Sequence, residues 1–281
     1  MSELPALQLG NFLTSESAQP ERHPSIGCHW YRLEVADEHC QSCLEYASRA
    51  LREAYVDSKY LAAVLEREGF AGVARLLKEK FPSEDNPFSV RTGDFGEVIG
   101  HIVLQDIFGF TIPVFKLRYK TNWEKAAFGV DIIAFRLHET DPSQDTVAFS
   151  EVKASKNKTY GVDTVFEEIK QLVEEGQPEA KQKMRNAVRF VSERLFEQQQ
   201  SELEKRIYRF LDCYTNPHYI EAFFPLLVRD KHSWGDDALD EITLEKPEPN
   251  RVKLCIFLIN NLEEAVKIAY EKAAQLEHQD G

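Results

Sequence analysis

Gly129-Val130-Asp131-Ile132-Ile133-Ala134-Phe135, a polar stretch holding Asp141, Pro142, Ser143 and Asp145, then Val147-Ala148-Phe149-Ser150-Glu151-Val152-Lys153: this run decides the fold. Two short apolar runs around a polar, proline-bearing loop read as a β-hairpin. Side chains alternate along a strand, so Glu151 and Lys153 share a face while Val152 turns into the core. Two carboxylates and a lysine converging from neighbouring strands are the parts for metal-assisted phosphodiester hydrolysis. Carboxylate oxygens suit a hard divalent cation, Mg²⁺ first and Mn²⁺ as the alternative. The lysine orients the attacking water or steadies the developing charge. Taken singly, Asp at a strand start or Glu-x-Lys on a strand is an ordinary solvated pattern, because cross-strand ion pairs are common on sheets. Here both strands are rich in Ile, Val, Ala and Phe and read as buried on much of both faces, where an unpaired charge is rarely left without a task.

The order Gly-x-Asp, hairpin, Glu-x-Lys, helix resembles the PD-(D/E)XK nuclease superfamily. That resemblance implies an α/β fold, a mixed sheet flanked by helices, and often an additional Glu on the helix before the strands. Val130 stands where the motif has proline, which leaves the metal-binding carboxylate of Asp131 in place. A wider likeness runs from Arg91 to Ser155. It takes in Thr92-Gly93-Asp94-Phe95-Gly96-Glu97, Phe115-Lys116-Leu117-Arg118-Tyr119-Lys120, Phe128-Gly129-Val130-Asp131 and Glu151-Val152-Lys153-Ala154-Ser155. This set resembles the HamA family, nuclease subunits of the Hachiman anti-phage defence system. The likeness implies a role in phage defence beside a helicase subunit, HamB.

Thr92 to Phe108 reads as a helix with Phe95, Val98, Ile99, Ile102 and Val103 on one face. Glu97 lies off that stripe, and Gly93 and Gly100 on its side leave room for close approach of a sheet or ligand. Alone, Glu97 reads as a solvated glutamate; beside the hairpin motif it becomes the further acid, a metal ligand with Asp131 and Glu151. His101, one turn later, reads as a partly buried histidine, with contact to phosphate or metal-bound water as the alternative.

The 281 residues are 43% hydrophobic and 29% charged, ordinary for a soluble globular chain long enough for one large domain or two small ones. The longest apolar run, near Cys255-Ile256-Phe257-Leu258-Ile259, is far too short to span a bilayer. No basic-then-apolar signal pattern opens the sequence, and five cysteines do not form an even disulfide set. The expectation is a cytoplasmic protein with no membrane association. A net charge of −13 opposes general binding to nucleic acid. A nuclease of this charge gathers its basic residues at the site, or depends on a partner to bring DNA.

Thr111 to Lys120 alternates as a strand would, with Phe115, Leu117 and Tyr119 on one face and Lys116, Arg118 and Lys120 on the other. The reading is either a basic stripe positioned for phosphates or an edge strand guarded by charge. Trp123 and Lys125 extend the groove by stacking and charge, or Trp123 caps the core. Lys156 and Lys158 in the polar loop after Lys153 complete the nucleic-acid contacts. A helix follows, with Val162, Val165, Phe166, Ile169, Leu172 and Val173 inward. Long helices then run from Ala180 to Cys213, with basic points at Lys181, Lys183, Arg185 and Arg189 and a bend at Gln198-Gln199-Gln200. Phe223 to Arg229 and Val252 to Ile259 read as inner strands, and Asn261 starts a last helix.

Residues 1 to about 27 look irregular, and Cys28 to Val35 reads as a short strand. Helices follow from Asp37, over Tyr60 to Glu66 and over Ala71 to Lys80, with Gly69 as a break. Residues 81 to 91 read as a linker. The expected organisation is a mainly helical N-terminal region over 1–90 and a nuclease-like domain over 91–281. Cys40-x-x-Cys43 has zinc-ligand spacing, but no second ligand pair follows, and both also fit the apolar stripe of their helix. The acidic stretch Asp230 to Asn250 reads as an exposed excursion, with Trp234 either anchoring a partner or folding back. Two rival readings are a catalytically silent nuclease-fold scaffold that binds nucleic acid or a protein, and a helical interaction protein. The N-terminal region is the first choice for a partner surface, the acidic excursion the second.

Overall fold

The computed structural model describes residues 8–15, 20–22, 28–83, 88–123, 125, 129–173, 178–211, 218–240 and 251–275. The centre of the expected linker and the later part of the acidic excursion lie outside these residues. So does most of the expected irregular N-terminal stretch. Among the described residues, one sheet of six strands carries the fold: β1 (Pro20–Arg22), β2 (His29–Glu34), β3 (Ile132–Arg136), β4 (Thr146–Ser155), β5 (Ile220–Asp230) and β6 (Lys253–Ile259). They lie in the order β1-β2-β6-β5-β4-β3. The hairpins β1–β2 and β3–β4 are antiparallel. The central pairs β2–β6, β6–β5 and β5–β4 are parallel. The mixed sheet read from the sequence is therefore present, with β1 and β3 at its two edges.

Parallel strands need helical crossovers that cover the sheet, so inner strands read as continuous apolar runs. On one face lie α1 (Cys40–Tyr55), α2 (Ser58–Lys80), α3 (Phe88–Ile102) and α7 (Leu262–Ala274). Their core joins Leu51, Phe95, Val152, Phe224, Phe257 and Ala269. On the other face, α4 (Val162–Val173), α5 (Pro178–Glu197) and α6 (Ser201–Tyr208) close over Phe149, Phe223, Leu227 and Ile256 with Ile169 and Val191. Each large side chain so buried contributes roughly 1.5–3 kcal/mol. The expected inward positions Val162, Val165, Phe166, Ile169 and Leu172 are all buried. The glutamine run breaks the helix as read, with Gln199 at φ 60°. α2 kinks at Gly69, where φ is 67°.

The sheet runs across residue 90. β2 is hydrogen-bonded between β1 and β6, from His29 opposite Lys253 to Glu34 opposite Leu258. Residues before the expected boundary thus supply two strands as well as the helices α1 and α2. The sequence shows β2 as a short apolar run, but its partner lies more than two hundred residues away.

The expected strand over Thr111–Lys120 does not form. Only Thr111 pairs, with Phe135 on edge strand β3. Pro113 has no N–H to extend a ladder, and Lys116–Tyr119 curls into a single 3-10 turn. The segment feeds Phe115 and Leu117 into the first core and Tyr119 into the second, so the single apolar face expected of a strand is split between two layers. Trp123 caps the first core, 6.0 Å from the Tyr55 ring with the Lys80 ammonium 4.4 Å above it. Cys43 is buried in that core and Cys40 packs against it, and burial pushes the Cys43 thiol up to about 12. Trp234 folds back, half-buried on the second core, its Nε1 donating to Asp236 Oδ1 at 2.8 Å.

Helix α3 sits hard against β4. A Cβ on Gly96 would lie 2.7 Å from Ala154 Cβ, and one on Gly100 would lie 2.4 Å from Ile132 Cδ1. Gly93 faces open space, so the close approach belongs to Gly96 and Gly100 rather than to Gly93. Replacing Gly96 by Ala is expected to cost about 1–3 kcal/mol, because Ala154 Cβ cannot move without its backbone. Gly93→Ala is expected to stabilise by about 0.5–1 kcal/mol through helix propensity alone. Urea melts of the two variants check this pair of opposite signs.

Candidate active site

The β3–β4 hairpin brings the acidic residues together. Its register sets Ile132 opposite Ser150; one step further, Asp131 falls opposite Glu151, where facing side chains share a side of the sheet. Asp131 Oδ2 accepts the Val152 N–H at 2.8 Å, which ties the start of β3 to β4. Glu151 is only 2% exposed, and its Oε1 accepts from Lys183 Nζ on α5 at 2.7 Å. Burial first, then the charge of Asp131, pushes the Glu151 carboxyl up to about 8 despite Lys183.

Lys153 shares the face of Glu151, and its Nζ lies 3.2 Å from Glu168 on α4. Burial pulls its pKa down, but Asp131, Glu168 and Glu151 together outweigh burial and hold it above the ordinary lysine value. Lys153 is therefore a charged donor at neutral pH and not a proton acceptor. Its position is set from behind. Gly161 packs on its stem, where a Cβ would lie 3.0 Å from Lys153 Cγ. The buried Arg229 guanidinium donates to the carbonyls of Lys153, Lys158, Tyr160 and Val228.

Glu97 reaches the hairpin from the other layer. Val152 and Ala154 meet α3, so Glu151 and Lys153 point to the opposite face, toward α4 and α5. Glu97 is buried, and its Oε2 has no hydrogen-bond partner among the described residues. Burial, then Asp131, raises its pKa well above the carboxylate range. Asp131 is thus the common member of two acidic pairs, one with Glu97 and one with Glu151. Among the described residues, no three His, Cys, Asp or Glu side chains form a set that could hold one metal ion. Asp131 and Glu151 offer oxygen donors only, a chemistry that suits Mg²⁺ or Mn²⁺ rather than zinc.

The basic residues singled out in the sequence separate. Lys116 Nζ donates to the Val130 carbonyl at 2.5 Å, next to Asp131. Arg118 turns to α1 and the start of α2, bonding the Glu53 carbonyl and Asp57 at 3.2 Å. Lys120 is buried against Asp94 at 2.6 Å, with Tyr55 donating to the same carboxylate. They do not form one outward stripe, because the backbone coils where a strand was expected. Lys125 is exposed. Lys156 and Lys158 are held in exposed ion pairs with Glu263 at 2.7 Å and Asp237 at 2.5 Å. His101 is fully enclosed beside the Phe115 ring, and burial drops its pKa to about 3, so it is neutral.

In the sequence Lys183 is one of four basic points on a helix, with nothing to mark it as the partner of Glu151. Asp94 stands in the sequence beside Gly93 with no evident task, and Arg229 reads as the end of an apolar strand. No local spacing distinguishes any of the three. Each acquires its role through a contact across the sheet or between layers.

A mixed sheet between two helical layers, with a facing acidic pair and a charged lysine on its edge hairpin, defines an α/β protein with a carboxylate-built site. The model of one family, described as HamA, matches residues 8–273, and the chain belongs to the HamA family. That membership points to a role in Hachiman-type defence. No curated protein matches the sequence.

Glu151 bears on stability in a definite sense. Its carboxyl is raised in the fold, so its favourable contribution is complete below the ordinary value of 4.5 and is lost as pH rises through about 8. In EDTA the protein is expected to lose stability over that window. Saturating Mg²⁺ is expected to restore it, by about 2.7 kcal/mol at a hundredfold excess over Kd. The gain is expected to be larger at the alkaline end, where the ligands are ionised, and absent in Asp131→Asn. Thermal melts across pH, with and without Mg²⁺, make the check.

Proposed function

We propose that this protein is a metal-dependent nuclease that hydrolyses DNA phosphodiester bonds, the effector of a Hachiman-type defence system working with a helicase subunit. The observation that carries the reading is the facing pair Asp131 and Glu151 with a lysine kept charged beside it. Asp131 and Glu151 would hold Mg²⁺ or Mn²⁺. Bound there, the cation supplies charge stabilisation at the phosphoryl oxygen and an acidified water. The chain's own residues do the rest. Lys153 donates from a fixed position, to the attacking water or to the developing negative charge. The Val152 N–H fixes the orientation of Asp131, and Arg229 fixes the strand end from which Lys153 projects. Glu97 stands near Asp131 on the α3 side as the further acid, buried and with its Oε2 unpartnered among the described residues.

Two features support a partner. The net charge of −13 opposes unaided capture of DNA. A nuclease free in a cell also has to be restrained from the cell's own chromosome.

The test is incubation of purified protein, alone and with its co-purifying partner, with DNA in Mg²⁺, in Mn²⁺ and in EDTA. Cleavage is expected with either metal and none in EDTA. Asp131→Asn, Glu151→Gln and Lys153→Ala are each expected to lower turnover by roughly 10²–10³-fold or more while circular dichroism stays unchanged. Near-normal turnover by Lys153→Ala would remove the lysine from the mechanism. No cleavage under any condition would leave the silent scaffold as the better account.

A further inference from the structure

Between α5 and the segment leading into β3 lies a cavity of about 560 Å³. Val130, Ile133 and Ala187 give it apolar walls, and Tyr119 and Phe190 give it aromatic ones. The two rings stand edge to face, centroids 5.6 Å apart at 88°, with the Arg194 guanidinium 5.2 Å from the Tyr119 centroid and 5.5 Å from that of Phe190. Four lysines also line the cavity: Lys116, Lys120, Lys125 and Lys183. Two are neutralised within the fold, Lys120 by Asp94 and Lys183 by Glu151. Lys116 Nζ donates to the neutral Val130 carbonyl, and Lys125 is exposed; neither forms an ion pair among the described residues. An apolar and aromatic wall and two lysines outside any ion pair among the described residues therefore face the same space.

The cavity shares its wall with the candidate active site at three points. Gly129 and Val130 line it and lead directly into Asp131. Lys183 lines it and holds Glu151. Lys116 lines it and lies close enough to Glu97 to draw that carboxyl's pKa down. A ligand lodged there has its ends beside the acidic pair.

An aromatic floor, cationic rim and volume in the single-ligand range of roughly 300–1,000 Å³ describe a seat for one nucleotide and not for a turn of duplex. A base inside a duplex cannot reach such a floor without leaving its stack. Resting on the nuclease reading above, we infer that this cavity holds one unpaired nucleotide of the DNA strand being cut. Its base lies against Phe190 and Tyr119, and its phosphate lies at Lys116 and Lys125. The protein thereby selects single-stranded or frayed DNA, and the class of reaction that supplies its substrate is strand separation.

Binding measured in EDTA separates this from catalysis. Fluorescence anisotropy of a short labelled oligothymidylate is compared with that of a blunt duplex of equal length. The single strand is expected to bind at least about tenfold more tightly, since stacking on aromatic side chains carries such affinity. Phe190→Ala is expected to weaken the single strand by roughly tenfold and leave the duplex unchanged. Ala187→Trp, which fills the cavity and keeps both rings, is expected to do the same, and stands if Phe190→Ala fails to fold. Lys125→Gln is expected to reduce the salt slope for the single strand by about one. Equal binding of both DNA forms, or oligothymidylate affinity untouched by Phe190→Ala and Ala187→Trp, overturns the inference. Base-dependent binding without cleavage under any condition would sink the nuclease reading and keep the nucleotide seat. Cleavage without base-dependent binding would do the reverse.

Discussion

Strand β4 is covered on both faces, and each charge it carries has to be answered by a group from another element. Its even-numbered residues Val152 and Ala154 meet α3 so closely that a Cβ at position 96 would lie 2.7 Å from Ala154 Cβ. Its odd-numbered residues Glu151 and Lys153 meet Lys183 from α5 and Glu168 from α4. Burying an ionised group without a partner costs far more than one hydrogen bond returns. The helices on the second face are thus bound to the site electrostatically as well as by their apolar stripes. Packing and chemistry here are set by the same strand.

A second buried polar centre lies on the opposite side. Asp94 and Lys120 form an ion pair with both side chains almost fully enclosed, joined by Tyr55, which in turn lies 3.2 Å from the Tyr270 hydroxyl. The group links α1, α3, α7 and the segment along the sheet edge. Burial still raises the Asp94 carboxyl, in spite of Lys120. The pair is therefore held by its surroundings more than it contributes to stability on its own account, and removing one member would leave the other uncompensated at about 3–5 kcal/mol. Asp94 lies one turn before Glu97, so this network also fixes the rotation of α3 that presents Glu97 toward Asp131.

The overall charge of −13 and the local arrangement point in different directions for a simple reason. Acidic side chains are spread along the chain, whereas Lys116, Lys120, Lys125 and Lys183 converge on one cavity beside the hairpin. Several other basic residues are consumed internally. Arg118 goes to Asp57, Lys156 to Glu263 and Lys158 to Asp237. Exposed pairs of this kind contribute about 0–1 kcal/mol and are weakened further by salt.

By itself the sequence determined the hairpin, the alternation that puts Glu151 and Lys153 on one face, the stripes of α3 and α4, and the inner strands β5 and β6. All of these follow from periods of two or 3.6 within short windows, where local geometry and burial agree. It also marked Glu97 as unusual through its glycine neighbours, although the closest approach falls at Gly96 and Gly100. Tertiary structure alone decided what has no local period. It placed β2 beside β6 across more than two hundred residues and coiled Lys116–Tyr119 where alternation had read as a strand. It also brought Lys183 to Glu151 from 32 residues away. The physical reason is the same in each case. A side chain's partner across a sheet or between layers is chosen by the fold as a whole, and charge buried by that fold takes whichever counter-charge the packing delivers.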